Sequence, residues 1–268
     1  MPYFEASDST PLFYSEWGDG PPVLFLSGLG CSLRMWDYQF AALAEAGLRC
    51  IGLDRRGHGR SDQPKGGYDY DTLADDIAAL VDRLDLAGLT MVGHSMAGGE
   101  VVRYLSRHGP DRVARLVFLA PTTPKLTSSD DNPAGAPRAV FEATWADWLR
   151  DYPKWVDDNL APFLVPETSR AMMNWTAGLL QAPLPVALAC SQAMADADFR
   201  AEMRHIEVPS LVIHGDRDRS ALLDLTGRPS AELLPYGRLQ VYEGAPHGLM
   251  FTHMDRLHAD ILQFIQET

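Results

Sequence analysis

A serine hydroxyl is a weak nucleophile at neutral pH and works only when a base takes its proton as the new bond forms. One serine of this chain stands in a setting built for that. The apolar run Leu89 to Val92 leads into Gly93-His94-Ser95-Met96-Ala97-Gly98-Gly99 and then into a helical pattern. A strand that turns straight into a helix exposes the residue at the turn and presses the two backbones together, so the positions two before and two after Ser95 must be small. They are Gly93 and Ala97. The helix amino terminus also sets a positive dipole end beside any developing negative charge. Glycine-rich strand-to-helix turns without catalysis are common, so the motif needs partners.

Two acids and a histidine supply them. The strand-like run Leu211-Val212-Ile213 opens into His214-Gly215-Asp216-Arg217-Asp218, a carboxylate at the carboxyl end of a strand. Asp218 is the better orienting acid, because Asp216 follows the strand so closely that local backbone hydrogen bonds claim it. His247, in the mobile-looking loop Glu243-Gly244-Ala245-Pro246-His247-Gly248, is the base that would take the proton of Ser95 and return it to the leaving group. His58, His94, His108, His205, His214, His253 and His258 have no comparable context and are read as surface or core residues. After the run Val23 to Leu26 comes Ser27-Gly28-Leu29-Gly30, whose glycines let amides turn toward a site. The backbone N–H groups of Leu29 and Met96 are the expected oxyanion donors.

The elements that must position these residues alternate. Tyr3 to Ala6 and Leu12 to Trp17 read as a hairpin around Ser7 to Pro11. Val23 to Leu26, Cys50 to Leu53, Leu89 to Val92 and Val113 to Leu119 are short continuous apolar runs, the pattern of strands covered on both faces. Helical spacing between them spans Met35 to Ala46, Thr72 to Leu84 and Met96 to His108. The alternation returns with Leu211 to Ile213, Leu239 to Tyr242 and a closing helix Met254 to Ile265. Such a β–α rhythm predicts an α/β chain with a mostly parallel central sheet flanked by helices. Thr122 to His205 breaks the rhythm: it is proline-rich and tryptophan-rich, has no strand-like run, and reads as helices over Phe141 to Asp151, Trp155 to Leu160, Glu167 to Leu180 and Val186 to Ala195. The expected division is a core of residues 1–121 and 206–268 with a helical lid at 122–205.

Composition narrows the partner. A formal net charge of −13 argues against nucleic acid and anionic membrane surfaces, which repel an acidic protein. A small neutral or cationic molecule remains. Cys31, Cys50 and Cys190 fit neither a disulfide framework nor a metal-ligand spacing, so no metal or cofactor is expected and a reducing cytoplasm fits best. No stretch approaches the ~18 apolar residues of a membrane span, and Met1 to Thr10 does not look like a signal sequence. The oligomeric state stays open, a homo-oligomer included.

Taken together, Gly28-Leu29, Asp54-Arg55-Arg56-Gly57-His58-Gly59-Arg60-Ser61, Gly93-His94-Ser95-Met96, His214 to Asp218, Thr226 to Leu234 and Gly244 to Gly248 resemble the α/β-hydrolase family. The resemblance is closest to its cofactor-free bacterial haloperoxidases and related esterases, which are serine hydrolases by chemistry. It implies the α/β-hydrolase fold, the chain order Ser95, Asp218, His247, and serine-hydrolase chemistry; the nearly uncharged stretches Met172 to Leu180 and Leu184 to Ala195 add the expectation of small, hydrophobic carboxylic esters or lactones cleaved through an acyl-enzyme. Asp54 to Ser61 lacks the phosphate-loop lysine signature and is read as structural. Two departures stand in the oxyanion loop: Ser27 where the family commonly has His, and Gly30 where haloperoxidase-like members often have Pro. They bear on the subgroup's perhydrolase side activity more than on hydrolysis. A carbon–carbon bond hydrolase with the same triad and a ligand receptor on the same fold are the alternatives.

Overall fold

A computed structural model describes residues 2–180 and 182–268. Met1 and Gln181, which fall in the expected core and lid ranges, lie outside the described residues. Among these, the strands are β1 (Tyr3–Glu5), β2 (Pro11–Trp17), β3 (Pro22–Leu26), β4 (Arg49–Leu53), β5 (Leu89–His94), β6 (Val113–Leu119), β7 (Ser210–Gly215) and β8 (Gly237–Tyr242). They form one sheet in the order β1-β2-β4-β3-β5-β6-β7-β8. The β1–β2 hairpin is antiparallel and β2 joins β4 antiparallel, while every pairing from β4 to β8 is parallel.

The helices are α1 (Asp37–Glu45), α2 (Tyr70–Arg83), α3 (Ala97–His108), α4 (Arg138–Phe163), α5 (Arg170–Leu179), α6 (Leu184–Asp196), α7 (Arg200–Met203), α8 (Gly227–Leu233), α9 (Leu249–Thr252) and α10 (Met254–Glu267). Alternation within each strand feeds two cores. Val23 and Phe25 point to one side with Trp36, Leu43, Ile261 and Phe264, so α1 and α10 cover that face. Leu24 and Leu26 point to the other with Leu73, Ile77 and Val101 of α2 and α3. This two-sided burial is why the strands read as unbroken apolar runs. Among the described residues no helix is long and apolar enough to cross a membrane.

Local differences from the sequence reading have physical causes. The helix expected from Met35 begins as a 3-10 turn, Leu33–Trp36, because the Leu33 N–H donates to Asp54 Oδ1 at 2.6 Å and fixes the entry. Asp69 caps α2 by accepting from the Thr72 N–H at 3.0 Å, so that helix starts two residues earlier than expected. Two expected fragments, Phe141 to Asp151 and Trp155 to Leu160, are halves of one bent α4. The bend is at Asp151 (φ −160°, ψ 80°), two residues before Pro153, and Asp151 Oδ1 caps the second half through the Lys154 N–H at 3.0 Å.

The chain leaves β3 toward β4 on one side and then returns to β5 on the other. The carboxyl ends of β3 and β5 therefore flank the point where strand order reverses, the crevice in which open α/β sheets bind ligands. The Ser27–Gly30 loop follows β3 and Ser95 follows β5.

Candidate active site

Ser95 sits between β5 and α3 with φ +56°, a left-handed backbone that a side-chain-bearing residue adopts only under constraint. The constraint is visible. Its N–H donates to Leu119 O at 3.0 Å, and its carbonyl accepts from Gly98 N at 3.0 Å and Thr122 N at 3.2 Å. A Cβ on Gly93 would come within 2.9 Å of Ala97 O, which is the crowding the small residues relieve.

The Ser27–Gly30 loop abuts this turn: a Cβ on Gly28 would lie 2.7 Å from His94 Nδ1 and 3.2 Å from Ser95 Cβ. Among the described residues the N–H groups of Leu29 and Met96 donate to no other group. Three side chains hold the loop from behind, all from the Asp54 to Ser61 stretch. Arg55 donates to Ser27 O at 2.5 Å and Gly28 O at 3.3 Å while its Nε donates to Glu100 Oε1 on α3 at 2.5 Å. His58 Nε2 accepts the Gly30 N–H at 3.1 Å, its Nδ1 facing Arg56 O at 3.0 Å. Asp54 takes the Leu33 and Arg60 N–H groups at 2.6 and 2.9 Å. Burial, then the Arg55 charge, holds His58 down to about 3, so its Nε2 stays an acceptor at any working pH. Burial pushes the Glu100 carboxyl up, opposed by the Arg55 guanidinium beside it.

Gly30 has φ +80°, and proline, locked near −65°, cannot take that conformation. The departure seen in the sequence thus changes the backbone path of the loop. Leu180 Cδ2 and the Tyr152 hydroxyl stand 3.3 and 3.8 Å from where a Gly30 Cβ would be, so α4 and the end of α5 roof the loop.

Asp218 and His247 meet directly, with His247 Nδ1 to Asp218 Oδ2 at 2.6 Å and both residues buried. Burial alone would raise the Asp218 carboxyl. The His247 charge and the hydrogen bonds from His214 and His247 outweigh it and hold the group well below the usual carboxylate range. The loop of His247, mobile-looking in sequence, is pinned. Gly244 N donates to Asp216 Oδ1 at 2.7 Å, Arg217 N to Ala245 O at 3.0 Å, and Gly248 N to Phe163 O at the end of α4 at 2.8 Å. Asp216 does fix a loop, but one 28 residues away rather than its own.

Ser95 Oγ makes no hydrogen bond to the imidazole among the described residues; its neighbour does the joining. His94 Nε2 lies 3.2 Å from His247 O, and the two rings pack 4.6 Å apart with the Phe163 ring edge-on to His247 at 5.5 Å. Burial, then the neighbouring His247, pushes His94 well below the ordinary histidine value, so it brings no charge to the base. The sequence reading passed over His58, His94 and His214. Each lies beside a motif residue, and that adjacency was the only signal available.

Comparisons with known proteins give the family. A family model described as the alpha/beta hydrolase fold matches residues 21–182. A non-heme chloroperoxidase of Kitasatospora aureofaciens is 37% identical over all of both chains. A bifunctional esterase/perhydrolase of Acinetobacter calcoaceticus is 34% identical over 99% of this chain and 100% of its own. The solved structure of an esterase from Exiguobacterium antarcticum superposes with a TM-score of 0.95 at 29% identity, covering 98% of each chain. The chain belongs to the α/β-hydrolase family, in the group that holds the non-heme haloperoxidases and related esterases.

Proposed function

We propose that this protein hydrolyses small, hydrophobic carboxylic esters or lactones through an acyl-enzyme. The observation that carries the reading is the 2.6 Å Asp218–His247 bond, set beside a serine held at φ +56°. Ser95 attacks the carbonyl carbon while His247 takes its proton. The amides of Leu29 and Met96 receive the oxyanion. His247 then returns the proton to the leaving alkoxide, and a water repeats the sequence to release the acid. Asp218 fixes the ring so that Nε2 faces the reaction. The missing Ser95–His247 hydrogen bond is compatible with this, because such contacts commonly tighten only with substrate in place.

Substrate class follows from the roof. Leu180 and Tyr152 over the oxyanion loop and Phe163 over the base bring no formal charge, which suits an uncharged apolar acyl group, and helices 138–196 act as the lid. The net charge of −13 favours such small molecules over nucleic acid as partners. The test is steady-state hydrolysis of p-nitrophenyl butyrate by wild type and Ser95→Ala with EDTA present. Turnover by wild type and its loss by orders of magnitude in the variant supports the reading. Equal rates, or none in either, overturns it.

A further inference from the structure

We propose that His214 is a positioning residue for catalysis: it holds the Asp218 carboxylate that orients His247, so that one acid is shared by two imidazoles. The inference rests on the triad reading above and deepens it. His214 is the penultimate residue of β7 and completely buried. Its Nε2 lies 2.7 Å from Ala221 O and 3.1 Å from Asp218 Oδ2, so a single N–H points between a carbonyl and the carboxylate. Its Nδ1 meets no partner among the described residues and packs where Gly227 leaves room. All the polar contacts of this side chain are therefore directed at Asp218 and the loop that Asp218 folds.

The donors on Asp218 divide evenly. Oδ1 takes the N–H groups of Ser220 and Ala221, each at 2.8 Å. Oδ2 takes the His247 Nδ1–H at 2.6 Å and shares the His214 Nε2–H, 3.1 Å away, with Ala221 O at 2.7 Å. Two backbone amides alone would leave the carboxylate free to swing about its Oδ1 end. A second donor on Oδ2, coming from the strand rather than from the loop, fixes the plane and the reach of the oxygen that His247 uses. It also draws off part of the charge that His247 sees. The titratable groups facing His247 are Asp218 and His94, with His214 behind the acid. His94 is held uncharged by burial, which leaves Asp218 as the charge that sets the behaviour of the base and His214 as the group that tempers it.

Removing the His214 donor concentrates the negative charge of Asp218 on its bond to His247. Imidazolium is then favoured, and the acid limb of the kcat/KM profile, which requires the unprotonated base, moves to higher pH. The variants are His214→Leu, which has no donor, and His214→Gln, whose amide nitrogen reaches the place of Nε2. With p-nitrophenyl butyrate, His214→Leu is expected to lose about tenfold to a hundredfold in kcat/KM, the worth of one hydrogen bond to a charged group, with an acid limb displaced upward by about half a pH unit or more. His214→Gln is expected to restore the limb and most of the rate. Where His214→Leu does not fold, His214→Asn, polar but too short to reach Asp218, takes its place with the same expectation. An acid limb that stays at the wild-type position in the donor-less variant, or that moves equally in His214→Gln, overturns the proposal and makes His214 a packing residue. Ser95→Ala and His247→Ala measured alongside separate the two failures: if they keep activity the triad reading falls, and if they lose it while the limb stays fixed only the role of His214 falls.

Discussion

The two halves of the site are held by opposite means. On the proposed oxyanion side the working groups are backbone amides, and side chains brace them: Arg55, itself held by Glu100, donates to the Ser27 and Gly28 carbonyls, His58 accepts the Gly30 N–H and Asp54 accepts the Leu33 N–H. On the proposed acid–base side the working groups are side chains, and backbone amides supply most of the bracing: those of Ser220, Ala221, Gly244 and Arg217 fix Asp218 and the loop of His247, with the side chains of His214 and Asp216 beside them. A peptide group has no rotamers, so its aim is set by what holds its chain. A carboxylate or imidazole turns about its χ angles, so its aim is set by what holds its end. Each half is preorganised mainly by the kind of group it does not use for chemistry, His214 and Asp216 being the side-chain additions on the acid–base half.

That contrast is breakable, and the largest effect belongs to the acid–base half. Asp218→Asn keeps the shape but offers the ring the wrong partner, and kcat is expected to fall by about 10³ to 10⁴, with a lower melting temperature as well because a carboxylate held well below its usual range stabilises the fold, as steady-state kinetics beside calorimetry would show. On the oxyanion half a single truncation is expected to damage the fold together with the rate. Arg55→Met strands a buried Glu100 carboxylate and should cost about 3–5 kcal/mol in urea unfolding, whereas Arg55→Met with Glu100→Leu should recover most of that stability but not the rate. A double variant that is as active as wild type would show that the pair braces nothing.

His58 sharpens the comparison through pH. Its folded value of about 3 lies below the ordinary histidine value of 6.5, so between these two the unfolded chain binds the proton and the folded chain does not. Stability from this group is therefore full above 6.5 and lost as pH falls toward 3, by about 1.4 kcal/mol per pH unit within the window. Asp76, raised by burial to about 6, acts in the opposite sense between 3.8 and 6 and is present in both proteins compared. The stability advantage of wild type over His58→Gln should accordingly be greatest near pH 7.5 and shrink on acidification. A gap independent of pH would mean that His58 takes up its proton as readily in the fold as in the unfolded chain. The smallest effect is expected from Asp216→Ala, which frees the Gly244 N–H: about 1 kcal/mol in stability and a few-fold loss in kcat/KM from a looser His247 loop.

The halves also differed in how far they were legible beforehand. Ser95, Asp218, His247, Leu29 and Met96 stand next to strand ends, and strands buried on both faces announce themselves as apolar runs, so the positions of these residues followed from periodicity and motif. The bracing residues Asp54, Arg55, His58 and His214 stand inside family-like stretches, but nothing there shows what each one touches. Arg55 and Glu100 are 45 positions apart and meet only because the sheet brings β4 beside β3 and lays α3 across it. His214 alternates with its strand neighbours as a core residue would, and nothing in its spacing tells a packed histidine from one aimed at a carboxylate. The loop of His247 looked loose because its glycines were visible and its partners, Asp216, Arg217 and the Phe163 carbonyl, were not. The bend of α4 was half legible, since Pro153 marked an interruption without showing that Asp151 restarts the helix.

The hydrogen bond from Gly248 to the Phe163 carbonyl bears on how such a chain can be rebuilt. It ties the far end of α4 to the residue after the candidate base, with the Phe163 ring lying against the imidazole. The segment between β6 and β7 is therefore not an interchangeable cap. A chimera that imports another helical segment between β6 and β7 to alter selectivity inherits the task of presenting a carbonyl and an aromatic edge at that one spot. Grafts that begin after Phe163 and leave it native keep the anchor, and grafts that replace it must resupply it.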